Sequence, residues 1–193
     1  MKRAFIIHGW EGFPEEGWFP WLKKELEKKG FEAIVPAMPE TGRPSIERWV
    51  GLISKLVKKA DTDTYFVGHS IGNQAILRYL QTIKEKIGGA VFVAGWVSLT
   101  TLAMPTDAEK WIAKQWLETP IDFEKARKTT NNFIAIYSDN DPYVTLDNSK
   151  VFEEKLGAKI IIEKGKGHFS GEDGITELPV VLDELSRLIS ERL

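Results

Sequence analysis

The chain has 193 residues, a formal net charge of −2 and no cysteine. That length suits one domain with a sizeable core, and no Pro/Gly/Ser-rich linker or low-complexity tract divides it. Without cysteine there is no disulfide, thiolate metal site or cysteine nucleophile, and the interspersed charges form no basic stripe for nucleic acid or polybasic patch for a membrane surface.

Met1-Lys2-Arg3 lead straight into a first strand over 4–7, too brief for the apolar part of a signal peptide or for a membrane span. A cytoplasmic location is the expectation. The spacing of Trp18, Leu22 and Leu26 predicts a helix over 15–29, stopped by Gly30. Residues 33–35 read as a second strand closed by Pro36 and Pro39, and 45–58 as a helix burying Ile46, Trp49, Val50, Ile53 and Val57. A strand over 65–67, a helix over 73–84 and a strand over 90–94 follow.

Between Trp96 and Thr130 no strand pattern appears; Thr106 or Asp107 caps a helix running to Leu117, with Pro105 before it and Pro120 ending it. Strands over 133–137 and 159–162 then flank a helix over 146–156, and a last helix spans 178–192. This β-α alternation predicts a single α/β domain over 1–193, with a mostly parallel sheet covered by helices on both faces. Segment 97–130 follows the C-terminal end of a strand, where open α/β sheets bind ligands. It reads either as a small helical cap over a site or as a surface helix pair closing the sheet edge.

Gly68-His69-Ser70-Ile71-Gly72 stand between the apolar run Tyr65-Phe66-Val67 and a helical pattern. Strand, G-x-S-x-G turn and helix form a nucleophile elbow, which strains a serine into the exposed end of a buried strand. A β-carbon at either flanking glycine would strike neighbouring backbone. Ser70 is therefore the candidate nucleophile.

The strand pattern Phe133-Ile134-Ala135-Ile136-Tyr137 is followed by Ser138-Asp139-Asn140-Asp141-Pro142, where the sheet would carry an acid. Asp141 or Asp139 fits; Asp141 is preferred because it lies deeper in the loop and Pro142 stiffens the backbone after it. His168, after Gly165-Lys166-Gly167, is the only histidine C-terminal to that acid. The order Ser, Asp, His is that of α/β-hydrolases, in which a carboxylate fixes the histidine tautomer and stabilises the imidazolium formed during proton transfer.

The oxyanion that develops in such chemistry needs backbone donors. Ile71 N–H, at the start of a helix, is one, and Trp10 N–H in the loop His8-Gly9-Trp10-Glu11-Gly12 is the other. His8 is expected to brace that loop, and His69 to pack beside the elbow. Of Trp10, Trp18, Trp96, Trp111 and Trp116, Trp10 and Trp96 are the candidate substrate-binding residues, since aromatics on helices are core by default. The 3 histidines have no metal-ligand spacing, so no metal is expected. Gly165, Gly167 and Gly171 only faintly suggest a dinucleotide loop, because Ser170 stands where its last glycine is needed. No cofactor is expected.

Taken together, His8-Gly9-Trp10, Trp18-Phe19-Pro20-Trp21-Leu22, the Ser70 elbow, Asp139-Asn140-Asp141-Pro142-Tyr143-Val144 and Gly167-His168 resemble the small serine hydrolase family of retinoblastoma-binding protein nine and the bacterial YdeN proteins. The resemblance spans nearly the whole chain. It implies a compact α/β-hydrolase fold with a reduced cap, with Ser70, Asp141 and His168 as nucleophile, acid and base; the Asp-Pro-x-Val form supports Asp141 over Asp139. The expected activity is cofactor-independent hydrolysis of small carboxylic esters, with amides and thioesters served by the same parts. The alternative is a binding module that keeps the fold with little turnover. No Leu-x-Cys-x-Glu motif is present, so pocket-protein binding does not carry over.

Overall fold

The computed structural model describes residues 1–190. Its strands are β1 (Arg3–Ile7), β2 (Glu32–Ile34), β3 (Thr64–His69), β4 (Gly89–Val93), β5 (Phe133–Ser138) and β6 (Lys159–Glu163). They form one sheet in the order β2-β1-β3-β4-β5-β6, and every neighbouring pair is parallel. Parallel neighbours need a crossover between strands, and the intervening helices supply it. They are α1 (Phe19–Lys28), α2 (Ile46–Val57), α3 (Ile71–Leu80), α4 (Asp107–Glu118), α5 (Phe123–Arg127), α6 (Asp147–Leu156) and α7 (Pro179–Ser190).

Strand residues alternate between two cores, as the two-residue repeat of a strand demands. Phe5, Phe66, Phe92 and Phe133 face one side, with Trp49 and Ile53 of α2, Leu77 of α3 and Phe152 of α6. Ile6, Val67, Val91 and Ile134 face the other, with Leu22 of α1 and Leu185 of α7. Covered on both faces, β3, β4 and β5 are buried throughout, which explains why they read as continuous apolar runs.

The helix ends differ from the periodic pattern where local chemistry intervenes. α1 begins at Phe19 because Gly17 adopts a left-handed φ of 50° and Pro20 sits in the first turn. α3 begins earlier than expected, with Ser70 as its N-cap, and ends at Leu80. There the Thr82 hydroxyl donates to the Tyr79 carbonyl at 2.7 Å and turns the chain. Thr106 caps α4 through a reciprocal box with Glu109. The strandless stretch also holds a 3-10 turn (Thr101–Ala103) and α5, elements for which the sequence pattern gives no bounds. The expected end of the last helix at 192 lies outside the described residues.

The strand order sets the site. From β1 the chain crosses to β2 on one side and then returns to β3 on the other. The helix after β1 packs on one face of the sheet and the helix after β3 on the opposite face. Beyond the carboxyl ends of β1 and β3 the two loops diverge, leaving the crevice in which open α/β sheets bind ligands.

Candidate active site

Ser70 lies in that crevice with φ 52° and ψ −121°, a backbone conformation that a non-glycine residue holds only under constraint. The constraint is visible on both sides. A β-carbon at Gly68 would run into the Asn73 side chain and Ile76 of α3, and one at Gly72 would run into the Ile7 and His8 carbonyls after β1. Ser70 N–H donates to the Val93 carbonyl at 3.0 Å, and the Asn73 amide donates to the same oxygen at 2.7 Å. Ile71 is the first residue of α3, so its N–H has no acceptor within the helix. The Ser70 hydroxyl makes no hydrogen bond among the described residues.

His168 Nδ1 is 2.8 Å from Asp141 Oδ2, and the Asp141 side chain is only 2% exposed. The other carboxylate oxygen accepts from Tyr143 N–H at 2.8 Å and Val144 N–H at 3.0 Å, so the carboxylate is held from both ends. With a carboxylate as its acceptor, Nδ1 carries a proton and Nε2 is left to accept one. Asp139 does something else: its carboxylate accepts from Gly165 N–H at 2.8 Å.

Two further side chains shape the histidine loop and were not singled out from the sequence. Asp173 accepts from His168 N–H at 2.9 Å, Ser170 N–H at 3.0 Å and the Ser170 hydroxyl at 2.7 Å. Its carboxylate occupies the space where a β-carbon at Gly167, φ 54°, would stand. Ser170 returns a bond by accepting from Asp173 N–H at 3.2 Å, so the S-x-x-D spacing was a readable signal. Asn140 accepts from Gly167 N–H at 2.8 Å and from the Ser138 hydroxyl at 2.7 Å, joining the acid loop to the histidine loop.

The loop after β1 is braced by His8. Its Nε2 accepts from Met38 N–H at 3.1 Å, which leaves the proton on Nδ1 to donate to the Gly9 carbonyl at 2.9 Å. Burial pushes this imidazole below its usual pKa, keeping it neutral. Glu11 N–H donates to the Thr41 carbonyl at 3.0 Å, whereas Trp10 N–H donates to no protein acceptor among the described residues.

Ser70, Ile71, His168, Trp10 and Trp96 all line one cleft of about 710 Å³, together with the exposed Phe13, Leu102 and Tyr143. Trp96 is 1% exposed, and its Nε1–H has no partner among the described residues. Trp18 and Trp116 are core residues, and Trp111 is 71% exposed on a different surface. Glu16 also lines the cleft, and burial pushes its carboxyl above the usual range. Among the described residues no group of three or more His, Asp or Glu side chains is placed to hold a metal ion, and no helix is long and apolar enough to cross a membrane.

The strandless stretch touches both the cleft and the helices behind it. Leu99, Leu102, Ala103, Pro105 and Glu109 line the cleft. Thr100 is tied to the acid loop, its hydroxyl donating to the Pro142 carbonyl at 2.7 Å and its N–H to the Tyr143 carbonyl at 3.0 Å. Asn148 of α6 accepts from Val97 N–H at 2.8 Å and Ser98 N–H at 3.1 Å. Farther along, the Trp116 indole N–H donates to the Pro44 carbonyl at 3.0 Å.

A six-stranded parallel sheet in this order, with a strained serine turning directly from a central strand into a helix at the switch point, is the architecture of an α/β hydrolase. Within that class the profile of the serine hydrolase family matches residues 4–187, and the chain belongs to that family. It is 32% identical to the YdeN protein of Bacillus subtilis (strain 168) over 193 residues, covering 98% of this chain and 97% of that one. It is 28% identical to the serine hydrolase RBBP9 of Rattus norvegicus over 176 residues, 89% of each chain. The crystal structure of the B. subtilis ydeN product superposes with a TM-score of 0.90 at 29% identity, covering 98% of this chain and 100% of the other. Est1E of Butyrivibrio proteoclasticus, at 15% identity, shares the fold with a TM-score of 0.72 over 98% of this chain and 87% of its own.

Proposed function

We propose that this protein hydrolyses small carboxylic esters through an acyl-enzyme on Ser70, without metal or cofactor. The observation that carries the reading is the Asp141–His168 pair at 2.8 Å, opening on the same cleft as a strained Ser70. Ser70 Oγ attacks the acyl carbonyl while His168 Nε2 takes the hydroxyl proton. Asp141 holds the ring in the tautomer that leaves Nε2 free. The Ile71 and Trp10 N–H groups stabilise the oxyanion, a role supported by their having no other acceptor among the described residues. Collapse of the tetrahedral intermediate expels the alcohol with the proton from His168, and water repeats the sequence on the acyl-enzyme.

Residues 1–193 work as one hydrolase domain whose 97–130 segment roofs the acyl pocket. The ties of Thr100 to the acid loop support a roof anchored at the catalytic edge. Trp10 and Trp96 form its aromatic wall.

A fluorophosphonate probe tests the assignment, because it reacts with an activated serine beside an oxyanion hole. A single adduct on Ser70, located by peptide mass spectrometry, is the expected result. A folded protein left unlabelled at Ser70 would overturn it and favour a binding module.

A further inference from the structure

His69 immediately precedes the candidate nucleophile and is 4% exposed. The ester-hydrolase reading gives it no task. Its Nε2 lies 2.7 Å from the backbone carbonyl oxygen of His168. A carbonyl only accepts, so Nε2 carries the proton and donates it, while Nδ1 presents a buried lone pair with no partner among the described residues. The ring stands 5.0 Å from the His168 ring, centroid to centroid, and Trp18 packs edge-on against it at 6.1 Å. The Trp18 indole N–H in turn donates to the Phe169 carbonyl at 3.0 Å.

We infer that His69 is a positioning residue, a neutral strut that sets the distance between nucleophile and base. The inference rests on the roles of Ser70 and His168 proposed above. His168 rides on the loop after β6, and it is separated from His69 of the elbow by 99 residues of sequence. Asp173 fixes the His168 N–H and His69 fixes its carbonyl, so the peptide groups on both sides of the base are held. Of the two clamps only His69 is anchored in the elbow, one residue from Ser70. Backbone rigidity at Ser70 therefore passes through one imidazole to His168. Burial, and next the neighbouring His168, push the His69 pKa down to about 3, which preserves the neutral Nε2–H tautomer.

The test uses three variants, p-nitrophenyl acetate kinetics and the rate of fluorophosphonate labelling. In His69→Gln the amide nitrogen occupies the same place along the side chain as Nε2, and it retains the donor. In His69→Asn the amide is too short to reach the His168 carbonyl, and His69→Phe fills the space with no donor. A displacement of the base on the order of 1 Å lowers turnover about 10²-fold. His69→Asn and His69→Phe should lose roughly 10- to 100-fold in kcat and in labelling rate with KM changed less than about threefold, while His69→Gln stays within about threefold of wild type.

Folded Asn and Phe variants that label as fast as wild type would overturn the strut while leaving the hydrolase reading intact. Should they fail to fold, His69→Gln decides alone: a folded Gln variant slowed tenfold or more overturns the inference, and near-wild-type rates support it. Wild-type protein that takes no label at Ser70 removes the hydrolase reading and the strut together.

Discussion

Gly72 rests directly on the carbonyl oxygen of Ile7, with no room between them for a side chain. Helix α3 and strand β1 thus meet backbone to backbone, and the strained Ser70 turn depends on that approach. Gly72→Ala should destabilise the fold by roughly 1–3 kcal/mol, the usual range for overpacking, and reduce esterase activity. Gly51 is the contrast: it is exposed within α2 and a β-carbon there meets nothing within 4 Å. Gly51→Ala should stabilise by about 0.5–1 kcal/mol, so urea midpoints moving in opposite directions are the expected outcome.

Ser70→Ala should abolish p-nitrophenyl ester turnover and leave the fold intact, since it removes one hydroxyl. His168→Ala should lose about as much, and the double variant little more, because residues acting as a unit do not contribute additively. Multiplying losses would show that the two side chains act separately. Incubation with EDTA should change nothing in the wild-type rate.

Asp141→Asn should lower turnover by roughly 10³- to 10⁴-fold by favouring the wrong imidazole tautomer. Asp139→Asn leaves an amide oxygen that still accepts from Gly165 N–H, so its effect should stay below about tenfold. The opposite ranking in a kcat/KM comparison would transfer the acid role to Asp139.

Acid should destabilise the protein partly through His69. Its pKa is about 3 when folded against an ordinary 6.5, so between those values the unfolded chain binds a proton that the folded protein does not. Stability from this group is fully present above about 6.5 and is lost as pH falls toward 3, at about 1.4 kcal/mol per pH unit. His8, also lowered by burial, acts in the same direction. Urea unfolding between about pH 6 and about pH 4 should therefore show a steeper loss in wild type than in His69→Gln, by about 1.4 kcal/mol per pH unit. The carboxylates that titrate in this range are common to both proteins. Parallel slopes would show that His69 protonates in the folded state.

Arg78, on α3 and 2% exposed, donates to the carbonyls of Thr119 at 2.7 Å, Trp116 at 3.0 Å and Pro120 at 3.1 Å. It closes the end of α4 onto the core. Arg78→Met keeps much of the bulk and leaves those carbonyls without their donor, which should lower stability by about 2–4 kcal/mol. Denaturant curves check this, and an unchanged midpoint would mean that water serves the carbonyls equally well.

The alternation of short apolar runs with longer helically spaced segments determined most element types, because run length and flanking Gly and Pro add to periodicity in telling a doubly covered strand from a helix. Thr106 or Asp107 as the cap of α4 was legible for the same reason, although only the reciprocal bond to Glu109 singled out Thr106. The elbow was legible because its glycines answer a steric demand that Gly68 and Gly72 meet within five residues of chain. What lay beyond the sequence were the meetings between distant segments. Asp139 and Asp141 both follow β5; loop position and the Asp-Pro-x-Val form favour Asp141, but its meeting with His168 depends on how the loops after β5 and β6 lie once Ile136 pairs with Ile161. The sequence places His69 at the variable position of the elbow, packed beside it, and no more. Its bond to a carbonyl 99 residues away exists only because β3 occupies the middle of the sheet and the histidine loop folds back over it. Local patterning is written in side-chain polarity at short spacing, whereas these contacts arise from strand order and register, which no stretch of a few residues encodes.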